Sequence, residues 1–85
     1  MDGLTVGRIV HFVMPDGDHR PAIVVRTWGG DCVQLQVFLD GTNDLTPAEN
    51  GGISREIAER GLMWATSVPY SEQPQPRTWH WPERA

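Results

Sequence analysis

Apolar residues along this chain come in short bursts divided by turn-forming residues, and most bursts alternate with a period of two. Val33, Leu35, Val37 and Leu39 alternate with Cys32, Gln34, Gln36 and Phe38, which predicts a strand over 32–39 with one face on a core. Before it, His19-Arg20-Pro21-Ala22-Ile23-Val24-Val25-Arg26-Thr27-Trp28 holds a run of four apolar residues that begins after a proline and stops at Gly29-Gly30. A short run apolar on both faces predicts a strand in the middle of a small β structure rather than at its edge. Val6 to Val13 supplies the first strand, and Pro15-Asp16-Gly17-Asp18 supplies the turn that joins it to the second as a hairpin. Gly29-Gly30-Asp31 then predicts a tight connection into the third strand.

The rhythm breaks over residues 40–62. Asp40-Gly41-Thr42-Asn43-Asp44 ends the third strand, and Pro47 with Gly51-Gly52 marks a loop. Ser54-Arg55-Glu56-Ile57-Ala58-Glu59-Arg60 predicts about two helical turns, with Ser54 as N-cap and Gly61 as the stop. Extended structure resumes at Met63 to Tyr70, with Trp64, Thr66, Val68 and Tyr70 expected on one side. Pro69, Pro74 and Pro76 forbid a regular helix, and Thr78-Trp79-His80-Trp81 is a last short strand halted by Pro82. Five short strands and one helical insertion predict an all-β domain over 1–85: a small five-stranded half-open barrel of the SH3-like type, with an OB-like barrel as the alternative.

Composition narrows the function classes. A chain of 85 residues buries only about 60–65% of its unfolded surface, and the single cysteine, Cys32, allows no intrachain disulfide. Stability must come from packing the four tryptophans or from self-association, so a homo-oligomer is expected. The net charge of −4, with no basic run, disfavours a nucleic-acid groove. All seven basic residues are arginine, a bias that GC-rich codon usage explains. No signal peptide or membrane-length apolar run is present in the sequence, so a cytoplasmic protein is expected.

The Val6-Gly7-Arg8-Ile9-Val10-His11-Phe12-Val13 stretch, the Ala22-Ile23-Val24-Val25 strand and the Thr78-Trp79-His80-Trp81-Pro82-Glu83 ending resemble a family of short proteins encoded by phages and prophages of high-GC, actinobacterial-type hosts. The resemblance covers the N-terminal third and the last eight residues, and the 40–62 insertion has no counterpart in it. It implies a phage origin and action in the host cytosol. No catalytic residue is carried over.

Two groups of residues are candidates for ligand binding. Alternation puts Trp79 and Trp81 on one face and His80 on the other, so the tryptophans form either a stacking platform for a base or the plug of the barrel end. A subunit contact is a third use of the same rings. Arg8, Arg20 and Arg26, with His11, His19 and Trp28, form the second group: arginines beside rings can clamp a phosphate or carboxylate, or can simply pair with the eleven carboxylates of the chain. Cys32 reads as a buried or half-buried structural thiol, and Asp16, Asp18, Asp40 and Asp44 as turn residues. No cysteine–histidine cluster or other metal-ligand spacing stands out, so neither a metal nor another cofactor is expected, and catalysis is unsupported.

These observations predict a phage-derived, non-enzymatic binding protein. Its most concrete form is a counter-defence protein that sequesters a small anionic, nucleotide-type immune signal. The alternative is a structural or adaptor phage protein, a minor virion component or a host-protein inhibitor, that uses the tryptophan-rich surface as an interface.

Overall fold

The computed structural model describes residues 3–45 and 53–83, so the expected loop at Pro47 and Gly51-Gly52 lies outside the described residues. Five antiparallel strands form one sheet: β1 (Ile9–Val13), β2 (His19–Thr27), β3 (Val33–Phe38), β4 (Leu62–Val68) and β5 (Trp79–His80). The spatial order is β4-β3-β2-β1-β5, with the apolar β2 at its centre. The sheet stays half open. Past the end of β4, one parallel bridge joins Tyr70 to Trp79, and the backbone N–H groups of Trp79 and Ser71 donate to Pro69 and Trp79 respectively. Along β4 runs a groove of about 500 Å³, lined also by Phe12, Ile53, Ile57 and Arg77. This is the mostly-β, half-open architecture that the strand pattern predicts.

The inner face carries the core. Val10 and Phe12 of β1, Ala22 and Val24 of β2, and Val33, Leu35 and Val37 of β3 are buried together with Met14, Val68 and Trp79. Helix α1 (Arg55–Arg60) covers part of this core with Ala58, while Ile53 packs just ahead of it. Its limits follow from local chemistry. The Ser54 hydroxyl accepts from the Ile57 N–H, and Gly61 ends the helix at φ 75° with its N–H on the Ala58 carbonyl.

Two irregularities alter the expected facing of side chains. Val25 is an extra residue between the Val24–Leu35 and Arg26–Gln34 pairs, and it is exposed. On the face away from the core the central strand is only partly covered among the described residues, with Ile23 half-buried and Val25 exposed. In β4 the register shifts between its pairings at Ala65 and Val68, and Ser67 takes φ 51° there. That break in the pleat leaves Trp64 and Thr66 exposed while Val68 turns into the core, so the single face expected for Trp64, Thr66 and Val68 does not form. No helix among the described residues is long and apolar enough to cross a membrane.

Candidate metal centre

The three histidines of the chain meet on the outer face of the sheet. His11 of β1 lies directly opposite His80 of β5, and opposite Pro21 of β2 on its other side. His19 pairs with Val13 and so sits two residues along β2 from Pro21, on the same face as His11. Diagonal positions of this kind bring long or ring side chains within reach. The ring centroids are 5.8 Å apart for His11 and His80, 4.7 Å for His19 and His80, and 6.3 Å for His11 and His19. The inner neighbours Val10, Phe12 and Trp79 are buried, so packing on one face of the sheet determines how the histidines sit on the other.

Glu83 completes the cluster. The chain leaves β5 through Trp81 and Pro82 and returns the Glu83 carboxylate to the middle of the three rings. His11 Nδ1 donates to Oε2 at 2.7 Å, His19 Nδ1 lies 2.8 Å from Oε1, and His80 Nε2 also contacts Oε1. Desolvation pushes this carboxyl upward. Hydrogen bonds from His80, from its own backbone N–H and from His11, with the charge of His80, outweigh that and lower it from 4.5 to about 2. Glu83 is thus a carboxylate at any neutral pH. The remaining ring nitrogen of His80, Nδ1, is buried without a hydrogen-bond partner, so the polar chemistry of that ring is confined to Nε2.

One donor atom from each of His11, His19, His80 and Glu83 lies within 4.8 Å of the other three. A tetrahedral ion with bonds of about 2.0–2.1 Å spaces its donors about 3.4 Å apart; the Glu83 oxygens lie closer than this to the ring nitrogens, so the carboxylate draws back to admit an ion. Imidazole and carboxylate donors suit zinc and its first-row neighbours. The sequence signals no metal site, because the donors are scattered from His11 to Glu83 without a motif. Strand register, not spacing, assembles them. Glu83 was missed altogether, and its one signal was its place in the Trp-His-Trp-Pro-Glu ending.

The other expected site residues disperse, and Cys32, expected buried or half-buried, is exposed at the entry to β3. Trp79 is fully buried, its indole Nε1 donates to the Asp31 carbonyl at 2.7 Å, and Tyr70 and Trp81 pack against it edge-on. It is the plug of the barrel end and cannot offer a face to a base. Trp81, half-buried beside it, has Arg8 above its ring at 5.4 Å. Arg26 lies over the exposed Trp28 ring at 5.9 Å, away from the histidines. Arg20 points into the protein, where Nε and Nη2 donate to the two Asp44 oxygens at 2.6 and 2.5 Å. Asp44 is itself buried and accepts the Asp40 N–H, so it is a structural partner rather than a turn residue alone. The binding group expected from the sequence thus separates into three histidines that converge and arginines held elsewhere. Comparison with family models, with curated proteins and with solved structures finds nothing that matches this chain.

Proposed function

We propose that this protein is a small non-enzymatic binding module whose centre is a divalent transition-metal ion held by His11, His19, His80 and Glu83. The observation that carries this reading is the convergence of all three histidines on one carboxylate from three different strands and a terminal segment. Three imidazoles around one anion form a ready ligand set for zinc, because each ring has a nitrogen aimed at the common centre and the carboxylate is already ionised. The ion would also act as a staple. It would join β1, β2, β5 and the segment after Pro82 in a chain that has no disulfide to use.

Of the nucleotide-sequestration reading, with its phage counter-defence setting, this proposal keeps binding without turnover. The group facing an anion becomes the ion rather than the arginines, since Arg20 is committed to Asp44 and Arg8 and Arg26 lie on tryptophan rings. Titration of the apo chain with Zn(II) or Co(II), followed by calorimetry and native mass spectrometry, tests the reading. The expected result is about one ion per chain, lost in His11→Ala and His80→Ala and kept in Arg26→Ala. A wild-type chain that takes up neither ion at micromolar concentration overturns it.

A second reading, self-association, is favoured by the outer sheet face. Ile9, Val25, Phe38, Leu62 and Trp64 are exposed on four neighbouring strands, and a concentration of exposed large apolar side chains favours an association surface. The occupant we favour is a second copy, because a chain short of core gains most from a symmetric partner. Light scattering of wild type and Trp64→Glu tests this: a dimer reduced to monomer supports it, and a wild-type monomer at high concentration removes it.

A further inference from the structure

Resting on the metal reading above, we infer that Glu83 is the exchangeable ligand of the centre, and that the coordination position it leaves takes an oxygen anion of the phosphate or carboxylate class. The four donors are not equivalent in how they are held. His11, His19 and His80 stand on hydrogen-bonded strands, and their positions are tied to one another by the pairings of β1 with β2 and with β5. Their backbones cannot leave the centre without distorting the sheet, so only rotation of the rings adjusts their donor atoms. Glu83 lies outside every strand, three residues after His80 and just past Pro82.

Exposure separates the donors in the same way. The side chains of His11, His19 and His80 are 27%, 31% and 11% exposed, whereas that of Glu83 is 49% exposed. Glu83 is therefore the most exposed of the four donors and the one most open to replacement by a solute. Three fixed imidazoles with one replaceable position form the arrangement by which protein-bound ions accept outside ligands, while structural sites hold four firm donors.

The charge balance selects the class of incoming ligand. Three neutral imidazoles leave the full +2 charge on the ion, and Glu83 offsets one unit of it. An incoming oxygen anion replaces that carboxylate without loss of charge balance, which favours phosphate monoesters and carboxylates over neutral solutes. A nucleotide is one source of such a phosphate and free inorganic phosphate is another. A carboxylate can come from a metabolite or from an acidic side chain of a partner protein.

The test uses the full chain loaded with Co(II), whose visible absorption reports the donor set and the coordination number. Inorganic phosphate, acetate and adenosine monophosphate are titrated separately into wild type, Glu83→Ala and Glu83→Gln, and Co(II) affinity is measured alongside. Wild type is expected to show a saturable spectral change with phosphate. In Glu83→Ala the change should occur at phosphate concentrations about tenfold lower, because the internal competitor is gone, while Co(II) itself binds about tenfold more weakly. Adenosine monophosphate acting at much lower concentration than phosphate identifies a nucleotide site; equal potency identifies a general phosphate site. Acetate acting as well as either assigns the position to carboxylates. A Co(II) spectrum that none of the three anions alters, in wild type and in both variants, overturns the exchangeable-ligand inference while leaving the metal centre intact. Failure of wild type to bind Co(II) at all removes both.

Discussion

His11 and His80 are direct cross-strand partners, and the strand that carries His80 is only two residues long. Such a strand has little hold of its own. It is seated by Trp79, whose ring fills the barrel end and whose N–H donates to the Pro69 carbonyl, and by the backbone bonds that the preceding Arg77 and Thr78 make with Val13. The geometry of the histidine cluster on the outer face therefore depends on aromatic packing on the inner one.

Metal should stabilise the fold measurably. An ion present at about 100 times its dissociation constant adds about 2.7 kcal/mol to the folded state. For a chain of this size that corresponds to an increase of roughly 10–20 °C in Tm. Thermal melts with and without Zn(II) should show this rise in wild type and little or none in His11→Ala or His80→Ala. A Zn(II)-independent melt in wild type contradicts the stapling role.

The Arg20–Asp44 pair should govern part of the acid stability. Its two short bonds lie where the Arg20 side chain is 18% and the Asp44 side chain 3% exposed, so Arg20→Met strands a buried carboxylate and should cost about 3–5 kcal/mol. The Arg20 hydrogen bond, against desolvation, holds the Asp44 carboxyl below its ordinary 3.8. A depressed folded-state value gives stability that is fully present above the unfolded value and is lost as pH falls through the folded one. Denaturation followed from pH 5 downward should show wild type losing stability below about pH 4. Arg20→Met, already weakened, should show a shallower loss over the same range. Parallel acid profiles for the two proteins would count against the pair.

Trp79 should matter more than any other ring. Trp79→Ala removes a fully buried indole and its bond to the Asp31 carbonyl, and a loss of about 3–5 kcal/mol is expected. Trp28→Ala, at an exposed position, should stay within about 0.5 kcal/mol. Chemical denaturation of the two variants decides between this order and the reverse, which a ligand platform at Trp79 would have predicted.

Gly41 is required for close approach. A Cβ there would stand 2.9 Å from the Ala58 carbonyl oxygen, a backbone atom of α1, so Gly41→Ala must push the loop after β3 away from the helix. Gly61→Ala has open space around its Cβ, and its cost comes from φ 75° alone, about 1–2 kcal/mol. Hydrogen exchange should show α1 amides losing protection in Gly41→Ala. Unchanged α1 protection there would mean the contact is dispensable.

The elements themselves are local in origin, and the sequence sufficed to find them. Alternation over Val33, Leu35 and Val37, the turn at Pro15-Asp16-Gly17-Asp18 and the Ser54 and Gly61 caps each act over a few residues, so period and turn chemistry determine the strands, the helix and the mostly-β class. What only the tertiary structure decided is which side chains meet. A register shift at Ser67 reversed the facing of β4, and the depth of the barrel end made Trp79 core rather than surface. A buried pocket turned Asp44 into the partner of Arg20. The candidate centre is the clearest instance. His11, His19, His80 and Glu83 carry no spacing that signals a site, because cross-strand register and the return of the chain after Pro82 are long-range outcomes of packing, and no window of neighbouring residues contains them.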